Sequence, residues 1–273
     1  KLMLLTEVSN YINYKRIYNL SNKKINFYQI FTNSQNVIKG SIFVISDIKK
    51  FKTKYIEEAI AKGAIAVIAK KYFKNYLVTQ FVVENVNESL FLILNKLKSF
   101  KPINSLAITG TNGKTTVSWY ISKLCCLNKI PNKTFGTLGH YINCKKKFSS
   151  SMTTPNYEIL HQTAFSLKPN KFNFIFEASS HALAQNRIRK FPINIAALTN
   201  ITEDHIDYHK SYNSYKNAKF KLFKDKLDKK GYAILNDRIK GINILKKNLI
   251  SNKIITYGKS NSDINIKVNK KSI

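Results

Sequence analysis

Short apolar runs and helical patterns alternate along the chain, and this alternation predicts a mixed α/β architecture. In the first hundred residues, apolar runs at 41–45 and 64–69 predict buried strands. Residues 55–62 between them predict a helix that ends at Gly63. Glycine is common directly after a helix because it adopts a left-handed backbone conformation at little cost.

The same alternation continues through the rest of the chain. An apolar run at 105–109 predicts a strand, and apolar positions recur at helical spacing after Gly113. The further predicted elements are strands at 172–176, 195–199 and 232–235 and a helix at 215–226. This order favours a largely parallel sheet covered by helices, with ligands bound beyond the carboxyl ends of its strands.

Two domains are expected from the length and from this order of elements. The chain of 273 residues exceeds one ordinary domain, which has about 100 to 200 residues. Residues 1–88 form a predicted small N-terminal α/β domain, residues 89–101 a linker helix, and residues 102–273 a second domain with a mostly parallel sheet.

The composition argues against a membrane-spanning or disulfide-stabilised protein. No apolar stretch reaches the roughly 18 residues that span a bilayer, and the apolar segment 2–5 is too short for a signal peptide. The three cysteines, Cys125, Cys126 and Cys144, are too few and too unevenly spaced for a disulfide framework, and the adjacent Cys125 and Cys126 in a predicted helix favour a packing role. We therefore expect a cytoplasmic protein in a reducing compartment, without membrane insertion.

The positive charge is the most unusual feature of the composition. Lysine and arginine number 46 against 15 acidic residues, a net charge of +31, and such a surface attracts nucleic acids and anionic membranes. The lysines are scattered through the whole chain, however, and no zinc-finger, RRM or KH motif accompanies them. We expect no specific nucleic-acid binding, but a faster arrival of anionic nucleotide substrates.

A glycine-bracketed turn between the 105–109 run and the next helical pattern carries the strongest chemical signal. Its residues are Gly110, Thr111, Asn112, Gly113, Lys114, Thr115 and Thr116. Glycines let backbone N–H groups approach phosphate oxygens, Lys114 neutralises the terminal phosphates, and the Thr115 hydroxyl suits a bound Mg²⁺. The common pattern has a glycine where this chain has Ile108, so the loop is a shortened P-loop. The alternative is a plain glycine turn with an incidental lysine.

Polar side chains follow two of the other predicted strands. Glu177 comes directly after the run at 172–176, and Thr199 closes the run at 195–199, so both should reach the sheet edge where the glycine turn begins. The segment 202–209 is rich in carboxylate and imidazole groups, which could hold a divalent cation or only cap a helix. Because Mg²⁺ prefers oxygen ligands, Glu177 and Thr115 are better candidates than His205.

Six ordered motifs resemble the ATP-dependent Mur ligases of cell-wall precursor synthesis, and within that family the MurE subfamily, which adds the third amino acid. In chain order they are the turn at 110–116, the segments 136–139, 153–155 and 177–183 with Gln185 and Arg187, the segments 199–200 and 204–209, and Tyr215 with 218–219 and 222–223. The segment Ser179-Ser180-His181 with its downstream arginine separates this subfamily from its sister ligases.

The resemblance implies an ATP-dependent amide-bond ligase. It would add a diamino acid, meso-diaminopimelate or L-lysine, to UDP-N-acetylmuramoyl-L-alanyl-D-glutamate through an acyl phosphate, as a monomer that uses ATP and Mg²⁺. The implied catalytic residues are Lys114, Lys219 and His205, and the implied metal ligands are Thr115, Glu177, His205 and Lys219 as its carbamate. The residues 110–116 and Asn236 would bind ATP. The implied contacts of the muramoyl substrate are Ser34, Thr153, Thr154, Ser179, Gln185 and Arg187.

Two departures from the family pattern qualify this implication. The segment 47–54 lacks the Asp-Gly-His type of sequence usual after this strand, which puts the contacts of the uridine end in doubt. Nothing in the chain matches the end of the family's ATPase domain or its third domain, which carries the pocket for the incoming amino acid. We therefore expect an incomplete ATPase domain, no third domain, and a chain that covers only part of a family member.

Three other functions remain open on the sequence. The chain could be a noncatalytic or degraded fragment that binds ATP and substrate without ligation. It could be a basic NTPase stimulated by nucleic acid, with salt-sensitive DNA binding. It could also act on folate polyglutamates or on other muramoyl peptides.

Overall fold

The chain folds into two compact units. The computed structural model describes residues 3–21, 24–46, 51–98, 100–166 and 171–265. The first unit comprises Lys1–Lys101 with His161–Asn170, and the second comprises Pro102–Leu160 with Lys171–Ile273. Among the described residues, no helix is long and apolar enough to cross a membrane.

A five-stranded sheet forms the centre of the first unit. In spatial order its strands are β2 (Tyr14–Tyr18), β7 (Thr79–Val83), β6 (Ala66–Ala69), β5 (Ile42–Val44) and β4 (Ile30–Phe31). Neighbours run parallel except β2, which is antiparallel to β7. Two short strands, β1 (Met3–Leu4) and β3 (Asn26–Phe27), form a separate antiparallel pair. Strands β5, β6 and β7 are buried along their whole length, which explains why β5 and β6 stand out in the sequence as continuous apolar runs.

Two helices of the first unit follow the predicted positions with shifted ends. Helix α1 spans Lys54–Ala61 and α2 spans Val86–Leu97. The start of α2 is determined by Asn85, whose side-chain oxygen accepts the Glu88 N–H at 3.0 Å. The helix predicted as a linker therefore begins earlier than its apolar pattern alone indicates, and it lies within the first unit.

An eight-stranded sheet forms the centre of the second unit. In spatial order its strands are β11 (Lys145–Phe148), β10 (Gly139–Ile142), β9 (Asn132–Gly136), β12 (Asn173–Glu177), β8 (Asn104–Thr109), β13 (Ile193–Leu198), β14 (Leu227–Asn236) and β15 (Lys253–Tyr257). In this spatial order, every pair of neighbours from β9 to β15 is parallel. Strands β10 and β11 extend the sheet on the other side of β9, where each strand is antiparallel to its neighbour. The predicted α/β fold with a mostly parallel sheet is confirmed.

Helices accompany this sheet. They are α3 (Lys114–Leu127), α5 (Ser180–Ala184), α6 (Ile206–His209), α7 (Tyr212–Lys221) and α8 (Ile242–Lys247). Helix α4 (Tyr157–Ala164) is divided between the two units, because the first unit includes the chain from His161 onward to Asn170. The single helix predicted over 215–226 is in fact α7 followed by a π-helical turn, Leu222–Lys226. Helix α3 packs Val117, Ile121 and Cys125 onto a core cluster of β8, β12 and β13 residues.

The register of the sheet brings the polar ends of three strands together. Glu177 at the end of β12 is paired with Ile108 of β8, and Leu198 at the end of β13 is paired with Thr109 of β8. The glycine turn begins at Gly110, directly after the last residue of β8. Because these strands are parallel, their carboxyl ends lie at one edge of the sheet, where the sequence predicts the ligand site.

The expectation of a chain without disulfides is wrong. Cys126 near the end of α3 and Cys144 in the turn between β10 and β11 form a disulfide, with Cα atoms 6.5 Å apart. Cys125 is a free, partly buried thiol. The pairing depends on how the hairpin lies against α3, and no spacing rule in the sequence reports that placement.

Candidate active site

The turn between β8 and α3, residues 110–116, has the geometry of a phosphate-binding loop. Gly110 and Gly113 both have positive φ angles, +152° and +81°, which glycine tolerates best. A Cβ atom on Gly110 would also collide with the Thr199 hydroxyl. Helix α3 starts at Lys114, so its free N–H groups and positive dipole end lie at the loop.

The end of β13 holds this loop in place. The N–H of Thr111 donates to the Asn200 carbonyl at 2.9 Å, and the N–H of Asn112 donates to the Asn200 side-chain oxygen at 2.9 Å. The Thr199 hydroxyl donates to the Asn112 carbonyl at 2.7 Å. Three hydrogen bonds with two adjacent residues, Thr199 and Asn200, therefore fix the shape of the loop.

Two lysines meet at one carbonyl of the loop. Lys114 Nζ and Lys219 Nζ donate to the Gly110 carbonyl oxygen at 2.8 and 2.7 Å. Lys219, on α7, is 1% exposed. Burial, with a smaller contribution from the charge of Lys114, lowers the pKa of Lys219 to about 7. Burial also lowers the pKa of Lys114, although the charges of Glu177 and Asp204 oppose that shift.

A buried carboxylate, Glu177, lies beside the start of α3. Its side chain accepts hydrogen bonds from the Thr115 hydroxyl at 2.9 Å, from the Thr137 N–H at 2.9 Å and from the Thr137 hydroxyl at 3.1 Å. The backbone of Gly136 approaches the carboxylate so closely that a Cβ atom there would collide with it. This close approach is the physical reason for a glycine at the end of β9.

Imidazole and phenol rings form a cluster next to the lysines. The His205 ring lies 4.7 Å from the His181 ring and 6.2 Å from the Tyr215 ring, measured between centroids. His209 is 8% exposed and lies 5.3 Å from Tyr215. Burial and the neighbouring His205 lower the pKa of His181. The predicted candidate His205 therefore lies with Lys219 and Lys114, all three facing one cavity of about 250 Å³.

Four of the predicted substrate contacts are linked by hydrogen bonds, and three of them, Thr154, Ser179 and Arg187, line the same cavity. The Thr154 hydroxyl donates to the Glu177 carbonyl at 2.7 Å, and the Ser179 N–H donates to that hydroxyl at 2.9 Å. Arg187 donates to the Thr154 carbonyl at 2.8 Å and to the Gln185 side-chain oxygen at 2.7 Å.

A fifth predicted contact, Thr153, reaches toward the carboxylate side of the site. Its hydroxyl lies 3.2 Å from that of Thr137, the residue that bonds Glu177. Predicted substrate residues and the predicted metal ligand Glu177 thus belong to one continuous network.

The two remaining candidates, Asn236 and Ser34, are not among the residues that line this cavity. Asn236 ends β14 and donates from its side chain to the Thr199 carbonyl at 2.7 Å, beside the phosphate loop. Ser34 belongs to the first unit, where its hydroxyl donates to Glu58 at 2.7 Å and lines a separate cavity of about 370 Å³. Phe51 and Tyr55 also line that cavity. Residues 47–50 of the segment that departs from the family pattern lie outside the described residues.

Two residues with central positions are not predicted as site residues from the sequence. Thr137 supplies two of the three hydrogen bonds to Glu177. Tyr215 is 1% exposed, its hydroxyl lies 3.0 Å from that of Thr111, and its ring lies 4.3 Å from Lys219 Nζ. Both belong to motifs of the family resemblance, but only the folded chain reveals which residues they contact.

The donor atoms near Glu177 suit a hard cation. A buried carboxylate with hydroxyls of Thr115 and Thr137 at hydrogen-bonding distance is an oxygen-rich set, which Mg²⁺ prefers. Within the described ranges, no group of three or more His, Cys, Asp or Glu side chains is arranged to hold a metal ion. A cation here would therefore depend on hydroxyl and phosphate oxygens as well as on Glu177.

Known proteins resemble this chain over nearly its whole length. A ligase from Rickettsia typhi, UDP-N-acetylmuramoyl-L-alanyl-D-glutamate–2,6-diaminopimelate ligase, is 36% identical over 254 residues, which are 89% of this chain and 51% of that protein. A solved structure of a ligase with the same name has 27% identity and a TM-score of 0.69, and the match covers 97% of this chain and 54% of that one.

More distant structures share the fold. The MurF ligase of Thermotoga maritima, solved in complex with ADP, has 21% identity and a TM-score of 0.59 over 86% of this chain and 51% of that one. This chain spans about half the length of the relatives it matches. The model of the Mur ligase middle domain matches residues 108–272, which is more than half of the chain. The chain therefore belongs to the Mur ligase family.

Proposed function

We propose that this chain carries the nucleotide and muramoyl-peptide sites of an ATP-dependent ligase. The reaction would join a diamino acid, meso-diaminopimelate or L-lysine, to UDP-N-acetylmuramoyl-L-alanyl-D-glutamate in peptidoglycan precursor synthesis. The observation that carries the proposal is the convergence of the phosphate loop, Glu177 and the buried Lys219 at one edge of the sheet. The name of the Rickettsia typhi relative supports the substrate assignment.

ATP would bind with its phosphates against the loop at 110–116. Backbone N–H groups at the start of α3 suit phosphate oxygens, and Lys114 supplies a positive charge that is now directed to the carbonyls of Gly110 and Thr111. Binding would exchange those carbonyl contacts for phosphate contacts. Asn236 lies beside the loop and would contact the nucleoside.

Glu177, Thr115 and His205 would hold Mg²⁺. When bound, the cation neutralises the charge that builds up on the transferring phosphoryl group. The residues of the chain have their own task, which is to hold the carboxylate in a fixed orientation. Thr137 does this with two hydrogen bonds to Glu177.

The reaction would proceed in two displacements. First, a carboxylate oxygen of the muramoyl dipeptide attacks the γ-phosphorus, the bond from that phosphorus to the bridging oxygen of ADP breaks, and an acyl phosphate forms. Then the amine of the diamino acid attacks the acyl carbon, phosphate leaves, and the amine loses a proton to give the amide. Lys114 and the loop N–H groups would orient the phosphates for the first displacement.

Lys219 would act as a carbamate. Its low pKa, about 7, leaves a substantial fraction of the amine neutral at neutral pH. A neutral amine adds to carbon dioxide and releases a proton, which turns a buried cation into an anion with two oxygen donors. Such a group next to Lys114 is better matched electrostatically than a second ammonium ion, because two like charges now share the Gly110 carbonyl.

The predicted substrate-binding residues would contact the dipeptide and the uridine end of the muramoyl substrate at separate places. Arg187 offers a planar guanidinium to a carboxylate, and its hydrogen bonds to Thr154 and Gln185 already orient it. Ser179 and Thr153 border the same cavity. Ser34 would contact the uridine diphosphate at the cavity of the first unit.

The test is nucleotide binding and turnover with matched lysine variants. MgATP affinity should fall at least tenfold in Lys114→Ala, because a charged phosphate contact is lost, and should be unchanged in Lys123→Ala on the same helix. Release of ADP and phosphate is then measured with the muramoyl dipeptide and either diamino acid. Release that depends on the amino acid and vanishes in Lys219→Ala, but not in Lys221→Ala, identifies a ligase and names its substrate.

The opposite results are equally informative. MgATP binding without amino-acid-dependent turnover would restrict the chain to a binding role, the alternative left open by the sequence. Equal ATP affinity in the wild type and in Lys114→Ala would contradict the nucleotide assignment itself.

A further inference from the structure

Helix α3 carries a second apolar stripe, which is exposed, besides the face with Val117, Ile121 and Cys125 that packs onto the core. Tyr120, Leu124 and Leu127 follow each other at helical spacing, and 64%, 58% and 79% of their surfaces are exposed. The residues that α3 fully buries are the small Ser118 and Ser122. A surface helix usually turns its large apolar residues toward the core, so packing among the described residues does not explain this outward stripe.

Exposed lysines lie within the stripe, after the end of α3 and in the β10–β11 hairpin. Lys123 lies within the stripe, three residues after Tyr120 and four before Leu127, and Lys129 follows the end of α3; both are exposed. In the hairpin, Lys146 is paired with Tyr141. The two side chains share one face of the sheet, and Tyr141 contacts Trp119 of α3, with 5.1 Å between ring centroids. Lys146 therefore projects on the same side as α3.

The helix and the hairpin form one continuous surface. The disulfide between Cys126 and Cys144 joins the last turn of α3 to the hairpin turn, and Cys144 also contacts the Ser122 carbonyl at 3.5 Å. No acidic residue occurs in the sequence between Glu88 and Glu158. Neither element therefore contributes a negative charge to this surface.

We propose that the surface formed by Tyr120, Leu124, Leu127, Lys123, Lys129 and Lys146, here named the lysine–leucine face, docks on an anionic phospholipid bilayer. Leucine and tyrosine would enter the boundary between headgroups and acyl chains, and the lysines would contact lipid phosphates. This combination is the signature of interfacial binding without membrane crossing.

Other occupants fit the lysine–leucine face less well. A second copy of the chain would place its own lysines against Lys123 and Lys129, and like charges across an interface oppose association. A nucleic acid would use the lysines, but it offers no apolar partner to Leu124 and Leu127, because nucleic acids stack on aromatic rings. An anionic bilayer uses both groups of residues.

The experiment measures sedimentation of the whole chain with vesicles of phosphatidylcholine, alone or mixed with phosphatidylglycerol. We expect binding to the mixed vesicles only, and weaker binding at high salt. Each lysine near a membrane surface contributes about fivefold in affinity. The triple variant Lys123→Glu, Lys129→Glu, Lys146→Glu should therefore bind at least about a hundredfold more weakly. Leu124→Ser with Leu127→Ser should weaken binding at least about tenfold.

The matched control variants change residues near the opposite edge of the sheet. Four strands separate β10 from β14 there. Ile244 and Ile250 are 63% and 91% exposed, so their replacement by serine removes as much exposed apolar surface as the leucine variant does. Lys224→Glu, Lys229→Glu, Lys230→Glu changes the net charge by the same amount as the lysine triple. Both control variants should bind the mixed vesicles within about twofold of the wild type.

Four results would overturn the proposal. They are the absence of vesicle binding, equal binding to neutral vesicles, equal losses in the control variants, and self-association in sedimentation equilibrium that the leucine variant abolishes in place of vesicle binding. Duplex DNA binding that depends on the lysine triple but not on the leucines, without vesicle binding, would assign the face to nucleic acid instead.

Discussion

Replacing Lys219 by methionine should change how the stability of the second unit depends on pH. Lys219 is 1% exposed and donates to the Gly110 carbonyl at 2.7 Å. Methionine has a similar length and no charge, so the variant removes the titration and keeps most of the packing. The lost hydrogen bond should lower the stability by a roughly constant amount, whereas the lost titration changes its slope with pH.

The magnitude follows from the pKa. Burial lowers the pKa of Lys219 from 10.5 to about 7. Between these two values the unfolded chain binds more protons than the native chain, so the free energy of unfolding rises with pH. For one such group the rise between pH 7 and pH 9 is about 2 kcal/mol. Between pH 7 and pH 9 the free energy of unfolding of the wild type should rise by this amount relative to that of the methionine variant. Relative to the variant, the wild type should be least stable below pH 7, where the buried ammonium is fully charged.

The assay is urea unfolding followed by the fluorescence of Trp119, the one tryptophan in the sequence, which lies in the second unit. Chelator and buffer purged of carbon dioxide keep Lys219 as a free amine. Lys221→Met, at an exposed position of the same helix, is the control and should follow the wild type at each pH. A difference between wild type and Lys219→Met that stays constant from pH 7 to pH 9 would refute the argument that burial shifts this lysine.

Three further changes test other parts of the site. Gly136→Ala places a methyl group against the Glu177 carboxylate, so Mg²⁺-dependent ADP affinity should fall at least about tenfold in calorimetry, and an unchanged affinity would contradict the role of the carboxylate. Tyr215→Phe removes the hydrogen bond to the phosphate loop and should lower the free energy of unfolding by about 1 kcal/mol. An unchanged free energy of unfolding would show that this hydrogen bond stabilises the fold no more than water does the unfolded chain. Cys126→Ser removes the bond to Cys144, 18 residues away, and should cost about 3 kcal/mol in urea unfolding; a wild type that is indifferent to reductant would argue against the crosslink.

The elements next to the phosphate loop are the part of the fold that the sequence predicts best. The strand before the loop and the helix after it are local structures, and the glycines between them require backbone angles that other residues avoid. Continuous apolar runs identify the buried strands β5, β6 and β13 for a related reason, since a strand covered on both faces needs no polar positions. The predicted ends of helices are less accurate. Capping side chains such as Asn85 determine where a helix begins, and they lie outside its apolar pattern.

Contacts between distant segments are the part that the sequence leaves open. By residue pattern alone, Lys219 is a surface lysine of a lysine-rich helix, yet the fold buries it against Gly110, which is 109 residues away in the chain. The same holds for Thr137 on Glu177 and for the cysteine pair. Each of these contacts depends on which strands become neighbours, and strand order is a property of the whole sheet.

The sequence by itself therefore determined the fold class, the phosphate loop and, through its ordered motifs, the family. Those features depend on local backbone preference and on the spacing of residues along the chain. Only the tertiary structure decided that Lys219 is buried away from water and that the Glu177 carboxylate accepts three hydrogen bonds. It also decided that the leucines of α3 are exposed. Burial and proximity in space change the pKa and the exposure of a side chain, and neither is written into the residue types of one segment.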